Sequence, residues 1–206
     1  MLSEVASGLK TEGVREKQKR ETRAALLGAA RRVLAVRGFA ATTTREIAQE
    51  AKVAAGTFFV HFPSVAALVE ALLDEHVQDT LQRGLRLAEK KQGIVAQLMH
   101  ASNTLFESYD EAPELARAFI TGSLFIARDG APSPRALQYR AWVTARIDQA
   151  VSSGELQEID RDLAYTCFFS IYFGLLVAGL NGQLTRKRQL ALLRSALTRL
   201  LLLEAS

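Results

Sequence analysis

Between Thr42 and Pro63 the chain reads T-T-T-R-E-I-A-Q-E-A-K-V-A-A-G-T-F-F-V-H-F-P, a run that admits little besides two short helices joined by a tight turn. Thr43 followed three residues later by Glu46 is a capping box, in which hydroxyl and carboxylate each satisfy the other residue's backbone N–H, so a helix opens at Thr44. Ile47, Ala48 and Ala51 then fall on one narrow apolar stripe, with Arg45, Glu46, Gln49 and Glu50 on the wetter side. Ala48 lets another helix cross closely and Val53 plugs the turn. Phe58 and Phe62 form an i, i+4 pair on a second helix that begins near Ala55. Such a crossing leaves the outer face of the second helix free. In a helix-turn-helix the first helix crosses the nucleic-acid backbone and the second offers its N-terminal residues to base edges in the major groove. Here those residues are Ala54, Ala55, Gly56 and Thr57.

The rest of the chain also reads as helix, giving an all-α fold. The whole sequence has only four prolines and no alternating β-branched runs, and Ala, Leu, Arg, Glu and Gln dominate. Residues 1–14, with Gly8 and Gly13 and no apolar period, read as a flexible arm. A helix follows over Arg15–Arg37 with Leu26, Ala29, Ala30, Val33 and Leu34 as its core stripe. Gly38 stops it at a left-handed cap position, and Phe39 supplies the hydrophobic contact. Ser64 caps a long helix to about Lys91 that carries Leu68, Leu72, Val77, Leu81 and Leu85. Three amphipathic helices come next, over Gly93–Tyr109, Pro113–Arg128 and Pro134–Ser152, punctuated by D-E-A-P, D-G-A-P-S-P and S-S-G-E. Arg161–Leu180 and Arg186–Leu202 bring the expected count to nine.

Charge is unevenly spread. The net +4 resolves into 11 basic and 6 acidic residues over positions 1–63, against 15 and 16 over positions 64–206. The positive field therefore sits at the helix-turn-helix end, where it steers encounter with phosphates and displaces their counterions. A single cysteine, Cys167, allows no internal disulfide, and no signal peptide or targeting tail is visible, so a cytoplasmic setting is expected. His61, His76 and His100 lie on different predicted helices without ligand-spaced Cys, Asp or Glu, and no glycine-rich phosphate loop occurs. No metal, cofactor or catalytic role is expected. Leu163–Thr185 carries no charged residue and approaches the length of a membrane span. Thr166, Ser170, Asn181 and Gln183 interrupt it, and it reads as a core helix with no membrane partner. Ser170, Gly174 and Ala178 recur every four residues, and Leu190, Leu193, Leu197 and Leu200 form a stripe on the last helix. Together they read as a dimer interface of four helices, two per chain, although an intrachain core has the same pattern.

Several spaced blocks carry a family resemblance: R-x-x-L-L-x-A-A-x-x-V-L-x-x-x-G-F from Arg23 to Phe39, the threonine run, I-A at Ile47 and Ala48, G-T-F-F-x-H-F-P-S from Gly56 to Ser64, and A-L-V at Ala67 to Val69. Over residues 20 to 75 the chain resembles the N-terminal domain of the TetR family of transcriptional regulators. The resemblance implies a DNA-binding domain over 15–63 and an effector-binding and dimerisation domain over 64–206. It further implies a homodimeric repressor on a near-palindromic operator of double-stranded DNA, released when a small, largely apolar effector tilts the helix after Pro63. By their places in the motif, Arg45 reaches a guanine edge, Thr43 and Thr44 lie against backbone phosphate, and His61 donates to a phosphate. Thr57 offers a hydroxyl or methyl, Ala54 and Ala55 meet thymine methyls, and Gly56 permits close approach.

Three positions depart from the family's pattern. Phe59 replaces the usual tyrosine, Val65 a common lysine, and Lys52 the turn glycine. A lysine held at positive φ costs on the order of 1 kcal/mol, with its ammonium free to meet a phosphate. In the family the middle helices enclose the effector pocket, which places Met99, Asn103, Phe106, Phe119 and Trp142 as lining residues, although aromatic stripes also build plain cores. A helical dimer that binds a small molecule or protein partner and has lost strong DNA affinity is the alternative reading.

Overall fold

A computed structural model describes residues 2–125 and 134–201, with side chains described over 13–121 and 134–201. Among the described residues there are nine helices and no strand: α1 (Leu2–Arg37), α2 (Thr44–Glu50), α3 (Ala55–His61), α4 (Val65–Ala88), α5 (Ile94–Glu111), α6 (Pro113–Phe125), α7 (Pro134–Ser152), α8 (Arg161–Leu180) and α9 (Arg186–Leu201). The expected arm over 1–14 is corrected at the level of backbone, since α1 already runs from Leu2. Gly8 and Gly13 each cost a helix about 1 kcal/mol relative to alanine but forbid nothing, and no proline intervenes. Most of the D-G-A-P-S-P punctuation and the expected last residue of the final helix, Leu202, lie outside the described residues.

The chain divides into two compact units, Met1–Leu72 with Thr121–Asp129, and Leu73–Ile120 with Gly130–Ser206. The division falls inside α4 rather than at the expected Pro63, because Leu68, Val69 and Leu72 at the start of α4 are fully buried in the first unit. There α1 packs on α2 and α2 on α3, around Leu26, Ala29, Ala30, Ile47, Ala48 and Phe58. Gly38 has φ 69°, and the Thr42 hydroxyl closes that turn by donating to the Gly38 carbonyl at 2.7 Å. Ser64 starts α4 as expected, its hydroxyl accepting from the Ala67 N–H at 3.1 Å.

In the second unit α5, α7, α8 and α9 pack on one another around a core that includes Leu98, Phe106, Val143, Ile147, Phe168 and Leu193. Two long-range polar contacts lock it. Glu155, just past α7, accepts from the Ile94 N–H at 2.7 Å and so caps α5 from 61 residues away. Between α8 and α9, Gln189 Nε2 donates to the Leu175 carbonyl at 2.6 Å. That approach requires Gly179, where an added Cβ would stand 2.0 Å from Gln189 Nε2.

Helix α8 is long and apolar enough to cross a membrane by length and composition alone. It buries Ala164, Phe168, Tyr172, Leu176 and Leu180, while Ser170 and Gly174 are exposed on its other side. Leu163 and Phe169 join that outer side, 58% and 38% exposed. The dimer assignment of Leu193 and Leu197 is corrected here, because both are at most 1% exposed and belong to their own chain's core. The leucine stripe faces α5 and α8 of the same chain, and Leu190 packs partly buried against that core. A Cβ added at Gly174 meets nothing within 4 Å, so the small-residue strip is not used for close packing inside the chain at that point.

Candidate nucleic-acid interface

Helix α2 begins as its sequence dictates. Thr43 sits in extended backbone at φ −114° and ψ 153° with both arms of the capping box formed. The Glu46 N–H donates to the Thr43 hydroxyl oxygen at 3.2 Å and the Thr43 N–H to the Glu46 carboxylate at 3.1 Å. Hydrogen bonds from the Thr43 hydroxyl and N–H, aided by the charge of Arg37, hold the Glu46 carboxyl below its ordinary pKa. Arg37 and Arg32 of α1 bind Glu46 and Glu50 at 2.7 Å each. These exposed pairs add little stability, but they neutralise the acidic side of α2. Arg45 is exposed at the first turn of α2, and among the described residues no ion pair is seen for it.

The turn between α2 and α3 is a Schellman motif. The Val53 N–H donates to the Ala48 carbonyl and the Lys52 N–H to the Gln49 carbonyl, each at 3.0 Å. This geometry places its C′ residue in the left-handed region, where glycine is preferred. Lys52 holds the position at φ 58°, the one non-glycine residue with positive φ among those described.

That turn aims α3. Phe58 is fully buried and packs edge-on against Phe59 at 5.5 Å and tilted against Phe62 at 6.0 Å. The opposite face carries Ala54, Ala55 and Gly56, all exposed, with Phe59 59% and Val60 71% exposed. An added Cβ at Gly56 meets nothing within 4 Å, so the α3 N-terminus is clear for approach by another molecule. Thr57 is half-buried one turn on. Apolar side chains on a short helix in water gain nothing for the fold by being outside, and their display fits contact with base edges and thymine methyls.

Sequence reasoning missed two cations that the fold brings to this face. Burial, then the charges of Lys19 and Arg23, depress the His61 imidazole below its ordinary pKa, so both α1 charges are felt at the end of α3. The Arg23 guanidinium stands 4.5 Å over the Phe62 ring. The excess of basic residues in α1 hinted at a patch, but which of them act on α3 depends on how the helices of this unit pack.

The residues expected to line an effector pocket separate into two groups. Phe106 is buried, stacked on Tyr172 at 5.1 Å, and Phe119 lies under the Arg135 guanidinium at 5.4 Å. Met99 is 7% exposed within the core. Asn103 and Trp142 instead donate to the carboxylates of Glu107 and Glu89, at 2.8 and 3.0 Å, near the surface. Trp142 still packs, partly buried, against the core that holds Phe106 and Tyr172. Among the described residues no group of three or more His, Cys, Asp or Glu is placed to hold a metal ion.

Comparison with known proteins agrees with this geometry. The sequence profile described as bacterial regulatory proteins, tetR family, matches residues 26–72, which run from the core of α1 to the division within α4. An uncharacterized HTH-type transcriptional regulator of Bacillus subtilis (strain 168), YvkB, is 34% identical over 98 residues, covering 48% of this chain and 50% of that protein. The chain thus spans about half the length of that curated relative in the match. Among solved structures, RolR in complex with resorcinol is similar with a TM-score of 0.66 at 21% identity, covering 92% of this chain and 91% of the other. Thermus thermophilus FadR in complex with lauroyl-CoA is similar with a TM-score of 0.65 at 22% identity, covering 86% and 92%.

Proposed function

We propose that this chain, whose residues 26–72 match the tetR family of bacterial regulatory proteins, is a ligand-responsive repressor that binds a near-palindromic operator as a homodimer in the cytoplasm. The family is one of DNA-binding regulators, not of enzymes. The observation that carries the proposal is the bare face of α3, where Ala54, Ala55, Gly56 and Phe59 stand exposed at the end of a capped helix and a Schellman turn. Arg45 adds a planar fork suited to a guanine edge, and Thr43, Thr44, Lys52 and His61 flank it as phosphate contacts. Two copies would place their α3 helices in successive major grooves about 34 Å apart. The exposed side of α8, with Ser170, Gly174, Phe169 and half-buried Ala178, is the surface offered to the second copy. The effector would sit in the unit formed by Leu73–Ile120 and Gly130–Ser206; that there is an effector is supported by solved neighbours of the fold that hold resorcinol and lauroyl-CoA. Helix α4 contributes residues to both units without interruption and would transmit the effect.

Selection of DNA fragments bound by the full chain at physiological salt, followed by fluorescence anisotropy over a salt series, tests this. The expected outcome is an inverted-repeat site bound at least 10³-fold, roughly, above random DNA. Salt-sensitive but sequence-indifferent binding would instead favour a helical dimer that binds a small molecule or protein with weakened DNA affinity. Phe59 without a phenol hydroxyl, Val65 without a charge and Lys52 in place of the turn glycine motivate that second reading.

A further inference from the structure

The face of α1 that enters the core of the first unit does not stop where the core stops. Ala30 and Leu26 are fully buried, and Arg23, Lys19 and Arg15 continue the same line toward the N-terminus in steps of three and four residues, the spacing of one helix face. All three are exposed. The row thus turns from apolar to cationic at the edge of the core. A cation covered by a further helix would need its own partner there, so this stretch suits an anionic surface.

Arg23 fixes one end of the row. Its guanidinium stands 4.5 Å over the ring of Phe62, the residue that follows α3. The charges of Lys19 and Arg23 are both felt at His61, adding to the burial that holds its imidazole below the ordinary pKa. The reading helix and its exit bring no fixed cation of their own, because between Lys52 and Glu70 the chain has no Lys, Arg, Asp or Glu. Lys17, about half a turn round α1 from Lys19, pairs with Glu21 at 3.9 Å. Among the described residues no ion pair is seen for Arg15, Lys19 or Arg23. From Arg15 to Arg23 the helix rises about 12 Å, a length over which one DNA strand passes about three phosphates.

We propose that Arg15, Lys19 and Arg23 form a phosphate-binding row on α1 that holds the DNA backbone beside the C-terminal end of α3, remote from the base-reading residues Ala54, Ala55, Gly56 and Thr57. The inference rests on the regulator reading above and adds to it contacts that no residue of α3 supplies. Because α1 runs without interruption to Arg37, the row is carried rigidly with the core and meets the backbone as α3 enters the groove. Contacts of this kind fix register and carry no sequence information.

The test is fluorescence anisotropy of the full chain over a salt series, with the inverted-repeat duplex from the fragment selection and with a mixed-sequence duplex of equal length. Lys19→Gln is expected to flatten the slope of log affinity against log salt by about 0.9 per chain, and the double variant Arg15→Gln, Lys19→Gln by about 1.8. At ~0.15 M salt the single variant then binds about fivefold more weakly per chain, by the same factor on both duplexes, and Lys19→Arg keeps the parental slope. Lys17→Gln removes the same charge from the other side of α1 and is expected to leave the slope nearly unchanged. Melting temperatures by circular dichroism are expected to stay the same throughout, since these side chains are exposed. Equal flattening by Lys17→Gln and Lys19→Gln would mean a diffuse effect of net charge and overturns the proposal. An unchanged slope in the double variant, or a loss confined to the inverted repeat, overturns it too. If the selection returns no inverted repeat, the mixed-sequence duplex still reads the row, so failure of the operator reading and failure of this inference are separately visible. Absence of salt-sensitive binding to either duplex overturns both.

Discussion

Lys52→Gly separates two roles that one residue now combines. In the α2–α3 turn Lys52 holds φ 58° at the Schellman position normally given to glycine. A left-handed non-glycine residue costs about 1–2 kcal/mol, while glycine's looser unfolded chain gives back about 0.4–1 kcal/mol. The balance predicts a gain of about 0.5–1 kcal/mol for the variant. If the first unit melts cooperatively by itself, the midpoint rises by about 3–5 °C. Affinity for DNA moves the other way, because the exposed ammonium is removed, and the slope of log affinity against log salt flattens by about 1 per chain. Lys52→Ala is the control: it also removes the ammonium but leaves a Cβ in the left-handed region. Urea denaturation followed by circular dichroism, with anisotropy between 50 and 200 mM salt, roughly, reads both quantities. Equal stability of the glycine and alanine variants would refute the strain account, and an unchanged salt slope in both would refute the phosphate contact.

Glu155→Ala removes the distant cap from the Ile94 N–H and is expected to destabilise the second unit by about 0.5–2 kcal/mol in urea melts, whereas no change would mean that water replaces the carboxylate without loss. Burial and the neighbouring Lys19 and Arg23 keep His61 below its ordinary pKa, and an arriving phosphate reverses that. DNA binding therefore takes up a proton and strengthens as pH falls through about 6.5, and His61→Asn flattens the profile. For folding the sign is opposite, since folded His61 binds fewer protons than unfolded His61, and its contribution to stability falls as pH drops below the unfolded value. Phe169→Arg on the exposed side of α8 is expected to shift sedimentation from dimer to monomer with helix content retained, and unchanged sedimentation places the pairing surface elsewhere.

What could be read from the residues alone was local. Thr43 and Glu46 are three apart, so their reciprocal cap followed from spacing, and Lys52 stood out because it occupies a glycine's place in a turn. The stripe of Leu190, Leu193 and Leu197 was recognisable as an apolar face, but periodicity does not say which neighbour covers it. Here α5 and α8 of the same chain bury Leu193 and Leu197. Tyr172 went unnoticed because α8 is apolar nearly all round, so that no period marks its inner side. Arg135 and Asp74 are 61 residues apart, and only the packing of α7 against α4 makes them a pair. Lys19 and Arg23 looked like any solvated helix charges until the fold brought both charges to bear on His61.

The spacing along α8 has a geometric consequence. Its buried residues Ala164, Phe168, Tyr172, Leu176 and Leu180 recur every fourth position, and so do Ser170, Gly174 and Ala178. Rows of that period are ridges inclined about 26° to the helix axis. A second α8 settling its own such ridge into the groove beside Gly174 would cross at about −50°, not at the roughly 20° of a parallel-sided bundle. The two copies would then touch over a short central stretch, leaving the ends of the helices splayed, and a small rotation about that point would move everything carried at a distance from it.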